Sequence, residues 1–186
     1  MNLPGRLFVL LAAAWLAAGP APAPARAGSA HDFAFVSIEG DPLPLSAFRG
    51  KAVLVVNTAS FCGFTPQYQA LAALWRRYRD RGLVVLGVPS NDFGQQEPGS
   101  AQEIKRFCET TYGVDFPLTD KVAVSGAAAH PFYRWALAEL GAAAAPRWNF
   151  HKYLVSPDGR LVGWFPTRTA PDAPELLQAV EAALPR

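Results

Sequence analysis

The chain has 186 residues, 51% of them apolar and 17% charged, with two cysteines and a formal net charge of +2. Arg6 and Arg26 account for that excess, and residues 28–186 carry 15 basic and 15 acidic side chains. A balanced surface of this kind gives no electrostatic basis for binding nucleic acid or an anionic membrane.

Met1 to Arg6 carries one arginine, Leu7 to Ala18 is an unbroken apolar run, and "ARAG" offers a small-x-small cleavage point after Ala27. These features predict a signal peptide over residues 1–27. The run is too short for a membrane span, which needs about 20 apolar residues; the alternative is an uncleaved anchor followed by the Pro/Ala stretch "GPAPAPARAGSA" as a flexible stalk. Residues 28–186 then suit one domain with one core.

Within that domain "FAFVSIEGDPLPL" alternates around Glu39-Gly40-Asp41-Pro42 and predicts a β-hairpin. "KAVLVVNTA" is a β-branched run suited to a strand buried on both faces. From Pro66, Tyr68, Leu71, Trp75 and Tyr78 recur at helical spacing, and Gly82 ends that helix. Its "RRYRDR" cluster, Arg76 to Arg81, reads as a solvated face. "LVVLGVPSN" is a second buried strand, after which Ser100 and Glu103 form a capping-box pattern for a helix with Ile104, Phe107, Cys108 and Thr111 on one face. A third helix starts near His130-Pro131, with Phe132, Trp135 and Leu137 on its apolar side. "YLVSPDGRLVGWF" predicts a hairpin turning at Pro157-Asp158-Gly159, and a last helix spans Ala173 to Leu184.

This order predicts an α/β fold: a central mixed sheet flanked by helices on both faces, preceded by the hairpin. The two buried strands should lie side by side or one strand apart. The ligand crevice of such a sheet lies beyond the carboxyl ends of its strands, which places Cys62 and the segment Asn91 to Glu97 there.

Cys62 follows a strand and precedes a helix. A free thiol is only about 3% thiolate at pH 7, and the thiolate is the nucleophile. Unpaired N–H groups at a helix start favour that anion, so Cys62 is a candidate nucleophile by position. With Cys108 it also makes the ordinary expectation of an exported chain, one structural disulfide. A reactive pair and two buried free thiols remain alternatives. A disulfide oxidoreductase would need cysteine where Thr65 stands, a copper carrier cysteine at Pro66, and a common peroxiredoxin threonine at Ala59. His31, His130 and His151 are too scattered to complete a zinc site with the two cysteines.

Five segments, "NTASFCGFTPQYQAL", "VPSNDFGQQEPGS", "FCETTYGVDFPL", "AHPFYRWA" and "RWNFHKYLV", resemble the successive signatures of glutathione peroxidases, in that family's order, across about Phe33 to Leu184. The resemblance implies a thioredoxin-like fold and reduction of hydroperoxides with no prosthetic group. It assigns the reactive position to Cys62 and supporting positions to Gln96, Trp148 and Asn149, whose three N–H donors can serve a thiolate and a peroxide oxygen without carrying charge. In the cysteine-containing branch it implies a resolving role for Cys108, an intramolecular Cys62–Cys108 disulfide, and local unwinding of the helix bearing Cys108 as that bond forms. A resolving cysteine favours a thioredoxin-like donor over glutathione, although Arg147 and Arg168 can contribute to a glutathione carboxylate site. Phe61 and Asp92 depart from the family's usual residues, and an extra carboxylate at Asp92 would act against the thiolate. The short segment "GAAAAPR" lacks an insertion that supports tetramers in some relatives, so a monomer is expected; the Ala-rich signal points to export into a bacterial periplasm. Two other readings stand beside this one: a non-enzymatic thioredoxin-like binding module with a structural disulfide, and a peroxide sensor relaying oxidation to a partner.

Overall fold

The computed structural model describes Met1 and residues 28–185; apart from Met1, the signal segment expected over 1–27 lies outside the described residues. β1 (Ala34–Val36) and β2 (Pro42–Pro44) form the expected antiparallel hairpin, a two-stranded sheet of its own. β3 (Ala52–Thr58) is buried at every position, as its uninterrupted apolar and β-branched sequence requires. α1 (Gln67–Tyr78) follows, runs into a 3-10 turn, and ends at Gly82, whose φ of +92° is the left-handed stop that glycine supplies without strain.

β4 (Leu83–Pro89) then pairs parallel with β3, from Ala52 opposite Leu83 to Thr58 opposite Pro89. The two buried strands are therefore adjacent. The outer edge of β4 is covered by residues 117–119: the Gly87 N–H donates to the Pro117 carbonyl and the Thr119 N–H to the Gly87 carbonyl. A Cβ on Gly87 would sit 2.5 Å from Leu118 Cδ2, so any other residue there would make the Leu118 side chain shift.

α2 (Ala101–Tyr112) opens with the predicted capping box, Glu103 N–H donating to Ser100 Oγ and Ser100 N–H to Glu103 Oε2. α3 (Pro131–Leu140) is capped by the His130 ring. β5 (Lys152–Val155) pairs antiparallel with β3, and β6 (Leu161–Phe165) pairs antiparallel with β5, giving the order β4-β3-β5-β6. α4 (Pro174–Ala183) closes the chain.

Alternation along β3 divides the interior in two. Ala52, Leu54 and Val56 face α1, α2 and α4 and pack with Tyr68, Leu71, Ile104, Cys108, Leu176 and Val180. Val53 and Val55 face α3 and the hairpin, with Phe35, Leu45, Phe132, Tyr133 and Trp135. Two face assignments change. Thr111 is exposed, and Tyr112 supplies the last core contact of α2, because the buried line through Ile104 and Cys108 advances by four. Leu137 is 40% exposed, because the inner face of α3 runs through Phe132, Tyr133, Trp135 and Ala136.

Candidate active site

Between β3 and α1 the chain makes a run of tight turns. Thr65 N–H donates to the Cys62 carbonyl, Gln67 N–H to Phe64, and Tyr68 N–H to Thr65, each closing three residues back. Thr65 locks the turn with its side chain: its hydroxyl accepts from the Cys62 N–H at 3.0 Å and donates to the Ala59 carbonyl at 2.8 Å. The sulfur of Cys62, a residue only 8% exposed, receives the Phe64 backbone N–H at 3.4 Å. A thiolate formed here meets the aimed Phe64 N–H, whereas the first N–H groups of α1, Gln67 and Tyr68, are already given to the Phe64 and Thr65 carbonyls.

The loop after β4 reaches this turn through backbone. Phe61 N–H donates to the Gln96 carbonyl at 3.0 Å. The loop bends through two successive left-handed residues, Gly94 and Gln95, which bring Gln96 back over the end of β3. Asn149 approaches from the turn before β5. Fully buried, it donates its side-chain amide to Gln96 Oε1 at 2.9 Å and to the Phe93 carbonyl at 3.4 Å. Trp148 stands beside it, 38% exposed, its ring 6.0 Å from Phe93.

The structure thus brings Cys62, Gln96, Trp148 and Asn149 to the carboxyl ends of β3 and β4. Their hydrogen bonding differs from a simple convergence of three side-chain donors on sulfur. Among the described residues the donor to Cys62 Sγ is the Phe64 N–H, whereas the Asn149 amide protons go to Gln96 and Phe93. Because Gln96 accepts through its oxygen, its NH2 group is left to act as donor. Asp92 is drawn away from such a role: one carboxylate oxygen accepts from the Val124 and Ser125 N–H groups and the Ser125 hydroxyl, pinning the segment before α3.

Cys108 lies in the same core cluster as Cys62 and is fully buried; both are free thiols. Burial pushes the Cys108 thiol up to about 11, with the neighbouring Tyr68 hydroxyl acting the other way. The residues preceding the two cysteines touch, since the exposed Phe61 ring stacks on Phe107 at 6.2 Å. A cavity of about 360 Å³ opens there, lined by Ser60, Phe61, Glu97, Ile104 and Phe107. On the other side a cavity of about 470 Å³ is lined by Trp148, His151 and Trp164 and brings Arg147 and Arg168 together.

Two buried ionisable groups beside the site escaped sequence reasoning. Glu97 is fully buried, and burial raises its carboxyl to about 7, against the Ser60 hydroxyl and amide and the charge of Lys121. Lys152 is also fully buried, and burial lowers its ammonium to about 7. The second had a visible signal: a lysine opening an apolar strand at the position that pairs with Val56.

The sequence matches the glutathione peroxidase family over residues 30–137. A hydroperoxy fatty acid reductase of Synechocystis is 49% identical over 150 residues, covering 76% of this chain and 89% of that protein. Among solved structures, apo Trgpx aligns with a TM-score of 0.66 and 34% identity, over 83% of this chain and 97% of its own. A thioredoxin-family thiol:disulfide interchange protein of Chlorobium tepidum, 18% identical, aligns with a TM-score of 0.61 over 87% of this chain and 99% of its own; the likeness shows that the fold is thioredoxin-like.

Proposed function

The chain belongs to the glutathione peroxidase family and is a thiol-dependent peroxidase, and from that premise we propose that Cys62 is its peroxidatic cysteine. The observation that carries this reading is the Cys62 turn itself, with the Phe64 N–H aimed at the sulfur and the Gln96–Asn149 amide pair hydrogen-bonded to each other alongside.

The Cys62 thiolate attacks the nearer oxygen of a hydroperoxide. The O–O bond breaks, sulfur gains an oxygen as sulfenic acid, and the leaving oxygen departs as water or an alcohol after taking a proton. The Gln96 NH2 and the Trp148 indole N–H serve the negative charge that moves from sulfur to oxygen, while Asn149 holds Gln96 in the donating orientation.

Cys108 then resolves the sulfenic acid. Its sulfur displaces hydroxide, which leaves as water, and a Cys62–Cys108 disulfide forms. That step requires α2 to open, because Cys108 is fully buried within it. A dithiol protein of the thioredoxin type returns the pair to thiols and is itself oxidised. Glutathione is the second candidate donor, with Arg147 and Arg168 as the cations available to its carboxylates. Fatty acid hydroperoxides, the substrates named for the Synechocystis relative, suit the same largely apolar cavity beside Trp148. A monomeric enzyme, exported by a signal over residues 1–27 to a periplasm, completes the reading. The binding-module alternative is not favoured, since the relatives are peroxidases.

The donor is tested by NADPH-coupled turnover of hydrogen peroxide, with thioredoxin and its reductase in one series and glutathione and its reductase in the other. Turnover at least tenfold faster in the first series, abolished by Cys62→Ser, supports the reading. Faster turnover with glutathione reverses the choice of donor, and turnover retained by Cys62→Ser overturns the role of Cys62.

A further inference from the structure

Lys152 needs a reason to be where it is. It is fully buried at the start of β5, whose remaining residues are Tyr153, Leu154 and Val155, and no carboxylate pairs with it among the described residues. An apolar side chain would suit such a position better on burial grounds alone. Its Nζ donates to the Phe150 carbonyl at 2.7 Å and to Gln67 Oε1 at 2.8 Å.

The Phe150 carbonyl is the last of three held in series. The Trp148 carbonyl accepts from Asn57 Nδ2 at 3.1 Å, and the Asn149 carbonyl accepts from the Thr167 hydroxyl at 2.7 Å. Asn57 and Thr167 are buried. Gln67 joins the holders, donating Nε2 to the Thr167 carbonyl at 2.7 Å while it accepts from Lys152. The backbone so gripped is unusual, because Phe150 has a φ of +64°, left-handed for a residue with a bulky side chain. That turn sends the Phe150 ring into the core against Tyr68 and leaves Asn149 facing Gln96.

We propose that Asn57, Thr167 and Lys152 form a clamp on three successive carbonyls that sets where Trp148 and Asn149 stand, with Lys152 the positioning residue that holds the left-handed turn. The inference rests on the reading of Trp148 and Asn149 as parts of the catalytic site. Lys152 touches no reacting atom. It acts through the turn, and a small misplacement of groups that orient a reaction can cost about a hundredfold in rate. Either protonation state of the amine has two N–H groups to give to its two acceptors.

The test is the rate of Cys62 oxidation by hydrogen peroxide, read by rapid-quench mass spectrometry in wild type, Lys152→Met, Asn149→Ala and the double variant. Lys152→Met keeps the length of the side chain and removes its donors. The clamp predicts a slowing of tenfold or more in Lys152→Met, read on the folded variant. It also predicts a double variant whose loss is smaller than the product of the two single losses, because the lysine acts only through the turn that carries Asn149 and Trp148. The Trp148 fluorescence, isolated by subtracting the Trp148→Phe spectrum, should shift in Lys152→Met. A rate within twofold of wild type, or losses that multiply in the double variant, overturns the clamp. If Asn149→Ala leaves the rate unchanged, the catalytic reading of Asn149 fails and the clamp with it; if Asn149→Ala is slow and Lys152→Met is not, the clamp alone fails. Should Lys152→Met not fold, Thr167→Val meets the same criteria in its place.

Discussion

The side-chain amide of Asn149 donates to Gln96 Oε1 across 2.9 Å, joining the turn before β5 to the loop after β4. The bond decides which end of Gln96 faces outward: with its oxygen occupied, Gln96 offers hydrogen rather than a lone pair. Gln96→Glu therefore keeps an acceptor for Asn149 but replaces the free donor with negative charge. Removing one such donor typically costs about a hundredfold or more. The kcat/KM for hydrogen peroxide should fall by about a hundredfold, with little change in thermal midpoint, and steady-state kinetics on the folded variant checks it.

The stacking of Phe61 on Phe107 ties the reactive turn to the helix that carries Cys108. In the proposed reading α2 opens as the Cys62–Cys108 disulfide forms, because Cys108 is fully buried within it. Amides across residues 101–112 should exchange at least tenfold faster in the oxidised protein than in the reduced one. Phe61→Ala removes the tie and should hasten disulfide formation after peroxide is added. Equal protection in both redox forms, measured by hydrogen exchange, would contradict the account.

Glu97 makes a pH prediction with a definite sign. Its carboxyl titrates near 7 in the folded protein, from an ordinary value of 4.5, because burial penalises the charge. Between those values the folded state holds a proton that the unfolded state releases, so this group makes stability fall as pH rises from about 4.5 to about 7. The full shift corresponds to a few kcal/mol at most, on the order of 3. Glu97→Gln removes the titration, so its stability relative to wild type should increase as pH rises through that window. Urea unfolding of the reduced proteins at pH 5 and pH 8 measures the difference.

Much of the fold was legible because it follows local rules. The buried runs of β3 and β4, the Ser100–Glu103 box and Gly82 each announce their element through residue type and spacing. So did the position of Cys62, since a strand followed by a Gly63–Pro66 turn leaves few other places for the chain to go. Thr111 and Leu137 lie one residue off the buried stripes of their helices, whose centres are fixed only by the packing of Ile104, Cys108 and Trp135. The supporting polar residues were hidden for another reason. Asn57, Thr167 and Lys152 acquire meaning only when distant segments meet, and nothing local distinguishes Asn57 from a polar interruption in a strand. The pairing of Asn149 with Gln96 joins positions 53 apart in the chain, and no spacing rule predicts which amide donates.

The central claim is that Cys62 takes the oxygen and Cys108 removes it. The fully reduced protein is mixed with one equivalent of hydrogen peroxide, quenched within seconds, and weighed without reductant beside Cys62→Ser and Cys108→Ser. The account predicts loss of two hydrogens in wild type, a single added oxygen accumulating in Cys108→Ser, and no rapid change in Cys62→Ser. A wild-type protein unchanged after minutes, or an oxygen adduct formed equally fast in Cys62→Ser, would contradict it.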